Sequence, residues 1–231
     1  MLLALLACVP LFYLWHYTRR SNPWPRRFLA GIGWLAGVRV QVRGAPATHN
    51  ALLLSNHVSW LDIPLVAGAS GSAFVAHSGL ADDPLLSRLC AMNRTVYVHR
   101  GDRGRVADQV RDVRKALAHG GVLTIFPEGT TGDGMGLMPF KSALLSALEP
   151  PLVGVVVQPV WIDYGADAAE IAWAGDEPGP ANVLRVLARS QALPVTLHFL
   201  APFDPGIAGE RKAIAAEARR RIEQAMAGAT T

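Results

Sequence analysis

Cysteine is scarce in this sequence, and no metal-binding pattern is present. Cys8 and Cys90 are the only cysteines among 231 residues, which is too few for a disulfide framework and agrees with a reducing compartment. The seven histidines are scattered, and none lies with a cysteine at zinc-binding spacing. The sequence therefore predicts no disulfide framework and no metal site.

Internal repeats and low-complexity tracts are also missing. The chain contains no G-x-S-x-G nucleophile elbow, so nothing supports a serine hydrolase of that kind. A chain of 231 residues fits one domain, which at this size buries roughly 70 to 75% of the surface that its unfolded chain would expose. We expect no second domain.

The start of the chain lacks charge. Met1 to Tyr17 contains no Asp, Glu, Lys or Arg, and four arginines follow it: Arg19, Arg20, Arg26 and Arg27. Because the basic residues come after the apolar run and no small-residue cleavage site is evident, the pattern argues against a secretory signal peptide. By the positive-inside rule, these arginines place the downstream chain in the cytoplasm.

This N-terminal region is apolar enough to contact a membrane. As a helix, Met1 to Tyr17 is about 25 Å long, slightly less than the roughly 30 Å hydrocarbon core of a bilayer. It therefore either spans a locally thinned bilayer or inserts only partly into one leaflet. Phe28 to Val38 is shorter and contains glycines, which favours an interfacial or re-entrant segment. Alternatively, both stretches pack as helices on the protein's own core. We expect residues 1–40 to associate with the inner membrane and residues 41–231 to form the domain on its cytoplasmic face.

The charge balance is basic, with a formal net charge of +4 and a pI near 9.4. Such a surplus is compatible with nucleic acid, but the sequence has no aromatic and basic recognition motif. Membrane lipid is therefore the better partner, in agreement with a mean hydropathy of +0.24. We expect no binding of nucleic acid.

Helices and strands alternate through the rest of the chain. Apolar residues recur at helical spacing from Val106 to Leu117, and a strand from Val122 to Phe126 follows directly after two glycines. Leu152 to Val157 is nearly all leucine or β-branched, which predicts a central buried strand. Further strands are expected at Val38 to Val42, Ala51 to Leu54, Phe74 to His77, Thr95 to Arg100 and Val195 to Leu200, and further helices at Ile63 to Ala69, Pro84 to Met92 and Glu210 to Met226. The pattern predicts a single α/β domain with a largely parallel central sheet flanked by helices.

The stretch from Leu52 to Pro64 joins an apolar strand to polar residues. His57 and Asp62 are five positions apart, and on one continuous helix they would point about 140° away from each other. They can meet only if the chain turns between them, so we expect a strand, a turn and a helix that begins near Asp62. A structural alternative for Asp62 is a capping box with Ser59.

His57 and Asp62 have the chemistry of a catalytic pair. An imidazole is suited to take a proton from a hydroxyl near neutral pH, and a nearby carboxylate would fix its tautomer and stabilise the imidazolium. A second polar stretch runs from Phe126 to Thr131, where Glu128 follows an apolar strand and a proline. The glycines of this loop can present backbone N–H groups to an anion, although an ordinary loop is the alternative.

Both stretches resemble motifs of one enzyme family. Asn56 to Asp62 resembles the N-H-x-x-x-x-D motif, and Phe126 to Thr131 resembles the F-P-E-G-T-R block, of the glycerolipid acyltransferases, which include 1-acylglycerol-3-phosphate acyltransferase. The resemblance runs from about Leu52 to about Pro205. It implies transfer of a fatty acyl group from acyl-CoA or acyl carrier protein to the free hydroxyl of 1-acylglycerol-3-phosphate (lysophosphatidic acid). The product would be phosphatidic acid, an intermediate of phospholipid biosynthesis, and no cofactor beyond the thioester co-substrate is implied.

The resemblance also implies roles for individual residues. His57 would act as general base, and Asp62 would orient it. Substrate contacts are expected from Asn56, Arg100, Glu128, Gly129, Thr130, Thr131 and Lys141. Arg100 matches a family arginine that is implicated in holding the acceptor's phosphate, although a solvated arginine at a strand end is the alternative.

Thr131 departs from the family pattern, which has arginine there. Losing a bidentate phosphate clamp weakens the case for a simple phosphate acceptor, and Lys141 is the residue that could replace its charge. Together with the region from Ala172 to Leu187, this threonine resembles acyltransferases that act on lyso-ornithine lipid or other lysolipids. Such acceptors, hydrolysis by a water activated at His57, and a non-catalytic membrane lipid-binding protein are the alternative functions.

Two further segments have a packing or solvation alternative. Gln158 to Val160 resembles the family block that borders the acyl channel, but apolar residues near a strand end most often serve packing. The arginines and lysine of the last helix are expected to form a solvated face.

Overall fold

The computed structural model describes residues 2–18, 22–98 and 103–229, and a seven-stranded sheet lies at the centre of this part of the chain. Its strands are β1 (Val38–Arg43), β2 (Ala51–Ser55), β3 (Ala73–His77), β4 (Val96–Val98), β5 (Val122–Ile125), β6 (Val156–Asp163) and β7 (Leu193–Phe199). They lie in the spatial order β1-β7-β6-β2-β5-β3-β4, and each neighbouring pair is parallel except β6 with β7. The predicted α/β fold with a largely parallel sheet is confirmed.

Helices cover both faces of the sheet. The described α-helices are α1 (Leu2–Trp15), α2 (Trp24–Leu35), α3 (Asp62–Ser70), α4 (Pro84–Met92), α5 (Val106–Ala118), α6 (Ala168–Ile171), α7 (Gly179–Leu187), α8 (Pro205–Ala208) and α9 (Arg211–Ala229). Because successive strand residues point to opposite faces, β2 sends Leu53 into one apolar core and Leu52 and Leu54 into the other. All three side chains are fully buried, so β2 is a central strand that is covered on both faces.

The second N-terminal helix packs closely on the domain. Gly33 of α2 faces α3 so closely that a Cβ there would lie 2.7 Å from Cδ2 of Leu65. The guanidinium of Arg26 donates to the carbonyl oxygen of Gly68 at 3.0 Å, near the end of α3. Packing on the protein's own core, the alternative considered for this region, is therefore present in α2.

Other side chains of the N-terminal region are apolar yet exposed. They are Leu6, Tyr13, Leu14, Tyr17, Trp34 and Leu35. Among the helices that the structure describes, none has both the length and the apolar character needed to cross a membrane. Membrane contact by residues 1–40 stays a prediction, and Arg19 and Arg20 lie outside the described residues.

The predicted strand from Leu152 to Val157 is wrong at both ends. β6 begins at Val156 and continues to Asp163, because the chain turns first at Gly154, which has a left-handed φ of 73°. A run of β-branched residues does not reveal such a turn, since these residues favour a pleated surface without fixing where the strand starts. Gln158 to Val160 consequently lies inside β6 and not at a strand end.

Candidate active site

The two polar stretches meet at one edge of the sheet. β2 and β5 are neighbouring parallel strands, with Leu54 paired to Ile125 at their ends. Since the carboxyl ends of parallel strands lie at the same edge, the loops that carry His57 and Glu128 emerge side by side. The Nδ1 atom of His57 and the Oδ2 atom of Asp62 are 2.8 Å apart, so the chain turns between them as predicted.

The turn that joins β2 to α3 holds the carboxylate of Asp62. Its Oδ2 accepts hydrogen bonds from the backbone N–H groups of Val58 at 2.6 Å and Ser59 at 2.9 Å, besides the contact with His57. The Asp62 side chain is fully buried, whereas that of His57 is 14% exposed. Burial is tolerated because the carboxylate is hydrogen-bonded within the protein.

The capping-box alternative for Asp62 is half present. The carboxylate of Asp62 accepts the N–H of Ser59, as in such a box. The reciprocal bond is replaced, because the N–H of Asp62 donates to the carbonyl oxygen of Ser59 at 3.1 Å and not to its hydroxyl. Asp62 therefore serves the local turn and contacts His57 with the same oxygen, so the structural and the catalytic interpretations do not exclude each other.

A tyrosine that the sequence did not single out completes this group. The hydroxyl of Tyr164 donates to Oδ1 of Asp62 at 2.6 Å, from the chain just after β6. Burial, together with the negative charge of Asp62, raises the pKa of Tyr164 well above its ordinary value. Tyr164 consequently stays protonated and acts as a donor.

The contacts of His57 select one tautomer and one ring orientation. Because Asp62 is an acceptor, Nδ1 of His57 carries the proton, and Nε2 has the free lone pair. The imidazole stacks on Phe126 with ring centroids 4.1 Å apart, and Phe126 stacks in turn on Phe74 at 5.7 Å. This geometry leaves Nε2 as the ring nitrogen that can accept a proton.

Glu128 joins the second loop to the first. It is 2% exposed, and its Oε1 accepts the backbone N–H of His57 at 3.1 Å. The carbonyl oxygen of His57 accepts the N–H of Gly132 at 2.8 Å, so the loop is tied to His57 on both sides. Burial raises the pKa of Glu128 to about 7. Its predicted substrate contact stays a prediction, whereas the observed contact positions the loop.

Asn56 is bonded to the scaffold. Its amide nitrogen donates to the carbonyl oxygen of Ile162 at 3.0 Å, and its side-chain oxygen accepts the N–H of the same residue at 2.8 Å. These two bonds link the end of β2 to β6 beside the pocket. The predicted substrate contact of Asn56 stays a prediction, and the observed function of the side chain is to join β2 to β6.

The remaining predicted substrate residues differ in how they are placed. Thr131 donates its hydroxyl to the carbonyl oxygen of Trp173, while Thr130 is exposed. Lys141 is exposed and lies over Gly129, where a Cβ would come within 2.8 Å of its Nζ. Arg100 lies outside the described residues.

A small pocket opens beside His57 at the ends of β2 and β6. It has a volume of about 100 Å³, and its walls include Glu128, Trp161, Asp163 and Tyr164. Among the described residues that line it are two carboxyl groups, but neither a lysine nor an arginine. Ligand pockets usually have roughly 300 to 1,000 Å³, so this space suits a headgroup better than a whole lipid.

Asp163 lies near a histidine at the edge of the pocket. Nε2 of His198 is 3.8 Å from Oδ2 of Asp163. Burial lowers the pKa of His198, which favours the neutral imidazole. Across residues 2–18, 22–98 and 103–229, no three His, Cys, Asp or Glu side chains gather in a way that could hold a metal ion.

The last helix contributes more than a solvated face. Arg219 of α9 donates to the carbonyl oxygen of Met138 at 2.7 Å, and Arg221 donates to that of Ala201 at 2.9 Å. Both side chains stay about a third exposed, so the solvated face remains the prediction and these two bonds add a structural role to it. Arg219 fixes the end of the loop that begins at Glu128, and its positive charge acts against the rise in that residue's pKa.

A family model with the description Acyltransferase matches residues 38–163, which include the paired His57 and Asp62. The chain belongs to the Acyltransferase family. This acyltransferase is 31% identical to the lyso-ornithine lipid O-acyltransferase of Brucella abortus, over 94% of its own chain and 87% of the relative. It is 35% identical to the 1-acyl-sn-glycerol-3-phosphate acyltransferase of Neisseria gonorrhoeae, over 51% of its own chain and 48% of that relative. The predicted family is confirmed.

The fold of this acyltransferase agrees with that of a solved structure. The crystal structure of the 1-acyl-sn-glycerophosphate acyltransferase from Thermotoga maritima matches it with a TM-score of 0.62, over 97% of both chains. The two sequences are 23% identical, so this comparison shows the shared fold alone.

Proposed function

We propose that this acyltransferase moves a fatty acyl group from an acyl thioester, on coenzyme A or acyl carrier protein, to the free hydroxyl of a lysolipid. The hydrogen bond of 2.8 Å between His57 and the buried carboxylate of Asp62 carries this proposal. It makes Nε2 of His57 the basic nitrogen, and it supports the imidazolium that forms when His57 takes a proton. The thioester is already activated, so no covalent acyl-enzyme is required.

The reaction follows from this arrangement in two steps. The acceptor O–H gives its proton to Nε2 of His57 as its oxygen attacks the thioester carbonyl, which forms a tetrahedral oxyanion. When the oxyanion collapses, the C–S bond breaks and the leaving sulfur takes the proton back from His57. The protein chiefly positions the two substrates and stabilises the charge that develops.

The loop after Glu128 is the proposed source of N–H groups for the oxyanion. The N–H of Gly129 already donates to the carbonyl oxygen of Phe126 at 3.1 Å, and that of Gly132 donates to His57. The better candidates are therefore the amides of Thr130 and Thr131, which lie between them. Charge stabilisation of this kind typically contributes about 10²- to 10³-fold to turnover.

The acceptor that we propose first is lyso-ornithine lipid. Relatives of that name in Brucella abortus and Rhizobium meliloti each align with 94% of this chain, at 31% and 33% identity. The pocket beside His57 presents Glu128 and Asp163, and ornithine offers an amine that such carboxyl groups can bind. Thr131 adds no cation to the loop.

Lysophosphatidic acid is the second candidate acceptor. Its phosphate monoester carries close to two negative charges near pH 7 and requires cations at the site. Lys141 is exposed over the loop and could supply one charge, and Arg100 is the other predicted cation. The Neisseria gonorrhoeae relative, which aligns with 51% of this chain, supports this candidate.

Product analysis by mass spectrometry tests the function and the acceptor together. Purified enzyme is offered lyso-ornithine lipid, lysophosphatidic acid and lysophosphatidylcholine, each with acyl-CoA and with acyl carrier protein as donor. We expect an acylated product from lyso-ornithine lipid at the highest rate. Release of free fatty acid without any acylated lipid would instead support hydrolysis, and no product of either kind would support a non-catalytic lipid-binding protein.

We further propose that α1 and α2 hold the enzyme at the cytoplasmic face of the inner membrane. Leu14 of α1 and Tyr17, in the turn that follows α1, are 62% and 86% exposed, and exposed apolar groups of this size favour the headgroup region. Replacing both with serine should weaken vesicle binding while thermal stability is unchanged. Full release by high salt alone would show that basic residues, and not apolar side chains, hold the protein there.

A further inference from the structure

We propose that Tyr164 is a positioning residue that completes a hydrogen-bonded chain from His57 through Asp62, and that its hydroxyl sets the orientation and the basicity of the catalytic pair. The proposal rests on the general-base role of His57 that is proposed above. Tyr164 itself is not expected to touch either substrate through its hydroxyl, because that group is directed at Asp62.

The position of Tyr164 follows from the order of the strands. β6 lies beside β2 in parallel register, with Ser55 paired to Val160. Both chains leave the sheet at the same edge, so the residue just after β6 reaches the turn just after β2. The separation of 102 residues between Tyr164 and Asp62 is thereby closed to a contact of 2.6 Å.

The length and burial of this contact indicate a strong hydrogen bond. A distance of 2.6 Å lies in the range of 2.5–2.7 Å that is typical of an O–H group donating to an ionised carboxylate. Tyr164 is 2% exposed and Asp62 is 0% exposed, so water does not compete for either group. The raised pKa of Tyr164 keeps its proton on the phenol, as the donor role requires.

The two oxygens of Asp62 have different donors. Oδ2 accepts hydrogen bonds from the backbone N–H groups of Val58 and Ser59 and from the Nδ1–H of His57. Oδ1 accepts one from the hydroxyl of Tyr164. Without the tyrosine, Oδ1 would keep no donor among the described hydrogen bonds. The hydroxyl therefore prevents the carboxylate from rotating, and it draws part of the negative charge away from the oxygen that faces His57.

A packing role alone would not require this hydroxyl. Phenylalanine would fill the same apolar space, and a buried hydroxyl costs free energy unless it is hydrogen-bonded. Here the acceptor is the carboxylate of Asp62, which contacts Nδ1 of the proposed base. The bond thus connects the end of β6 directly to the chemistry at His57.

The direct test is Tyr164→Phe, which keeps the ring and removes only the hydroxyl. A bond to a charged group of this kind supports a loss of kcat by about 10- to 100-fold, with the KM of both substrates within about twofold. The hydroxyl draws negative charge away from the oxygen that faces His57, so its removal should also move the acidic limb of kcat/KM upward by about half a pH unit to one unit.

Glu128 must be separated from this pH effect. Glu128 is a titratable group that interacts with Asp62, its pKa is raised to about 7, and Arg219 acts on it from α9. Asp163 and His198 lie farther along the same pocket edge. The pH profiles of Glu128→Gln and of the double variant Glu128→Gln, Tyr164→Phe are therefore compared. We expect the acidic limb of kcat/KM to lie at higher pH in the double variant. If the two limbs coincide, the limb belongs to Glu128 and the proposal is overturned.

Two controls separate positioning from packing. Tyr97→Phe removes a hydroxyl from β4, at the far edge of the sheet, and should leave kcat and the pH profile unchanged. Incorporating 3-fluorotyrosine at position 164 makes the phenol a stronger donor and should move the acidic limb downward. If Tyr164→Phe is unstable, this second variant still tests the proposal.

The possible outcomes are distinct from those of the proposed function. If His57→Ala keeps normal turnover, the general-base mechanism itself fails. If His57→Ala abolishes turnover but Tyr164→Phe has a normal kcat and an unmoved acidic limb, only the role of Tyr164 is refuted. A loss of active protein without any change in the pH profile would also refute it, since that is the result of a purely structural residue.

Discussion

The proposed active site has two parts that differ in how many internal hydrogen bonds fix them: a base side, formed by His57, Asp62 and Tyr164, and an acceptor side, formed by the loop after Glu128 and by Asp163. On the base side, the carboxylate of Asp62 is fully buried and accepts hydrogen bonds from two backbone amides, an imidazole and a phenol. On the acceptor side, Thr130 and Lys141 are exposed, and Thr131 bonds to the backbone of a neighbouring loop. Proton transfer needs a preorganised base, whereas the choice of acceptor can vary with a few loop residues on a constant scaffold.

Removing the base should have the largest effect. We expect His57→Ala to lower kcat by about 10²- to 10⁴-fold while folding and membrane association remain intact, because general-base catalysis typically contributes that much. The measurement is the initial rate with saturating acceptor and donor. His49→Ala, at an exposed position in the loop before β2, is the matched control. A correctly folded His57 variant with near-normal turnover would show that the base side has been wrongly identified.

Glu128, which joins the two sides, should make stability depend on pH. Its pKa in the folded protein is about 7, against an ordinary value of 4.5, mainly because it is buried. The folded state thus holds a proton that the unfolded chain loses, so stability falls as the pH rises between these two values. Above pH 7 the full penalty is about 3 kcal/mol, from a difference of about 2.5 pKa units.

Glu128→Gln tests this penalty, since glutamine keeps an oxygen for the N–H of His57 but does not titrate. We expect the Tm of the variant, relative to that of the original protein, to rise as the pH is raised from about 5 to about 8. Glu210→Gln, at an exposed position before α9, should show no such trend. A difference in Tm that is independent of pH would mean that Glu128 is already ionised and paired in the folded protein.

Most of the base side could be predicted from the sequence because its residues are close together in the chain. His57 and Asp62 are five residues apart, so the geometry of one turn decides whether they meet. The start of α3 at Asp62 confirms this interpretation. Glu128 could be placed near them because it also follows a strand of a parallel sheet, and such strands end at one edge.

Tyr164 and Arg219 could not be found in this way. Tyr164 is 102 residues from Asp62, and Arg219 is 81 residues from Met138, so each contact depends on which elements are neighbours in space. The run of β-branched residues predicts a strand that ends at Val157, whereas β6 continues to Asp163, so the pattern does not mark the residue that follows β6. Long-range contacts of this kind have no local periodicity to indicate them.

On the acceptor side, Asp163 is the residue whose removal should matter most. We expect Asp163→Asn to raise the KM for lyso-ornithine lipid about three- to tenfold, which is less than a buried ion pair would give because the side chain is 28% exposed. The KM for lysophosphatidic acid should be unchanged or lower. Asp112→Asn, at an exposed position of α5, is the control. Equal changes for both acceptors would show that Asp163 does not distinguish them.

Adding a cation at Thr131 should have the smallest effect, and it tests whether the acceptor side can be changed without disturbing the base. Thr131→Arg should lower the KM for lysophosphatidic acid by a factor of about two to five, since guanidinium binds phosphate in a bidentate manner. The variant also loses the bond from Thr131 to the carbonyl oxygen of Trp173, so Thr131→Val is needed as the control for that loss alone.

The comparison of these two variants decides what the loop contributes. If arginine improves the phosphate acceptor and valine does not, the charge at this position tunes the acceptor while His57 and Asp62 keep their kcat. If both variants lose kcat to the same extent, the bond to Trp173 is required to position the catalytic loop. Thr131 would then belong to the base side and not to a variable acceptor side. The structural reason is that the backbone N–H of Trp173 donates to the carbonyl oxygen of Val58 at 2.9 Å, next to His57.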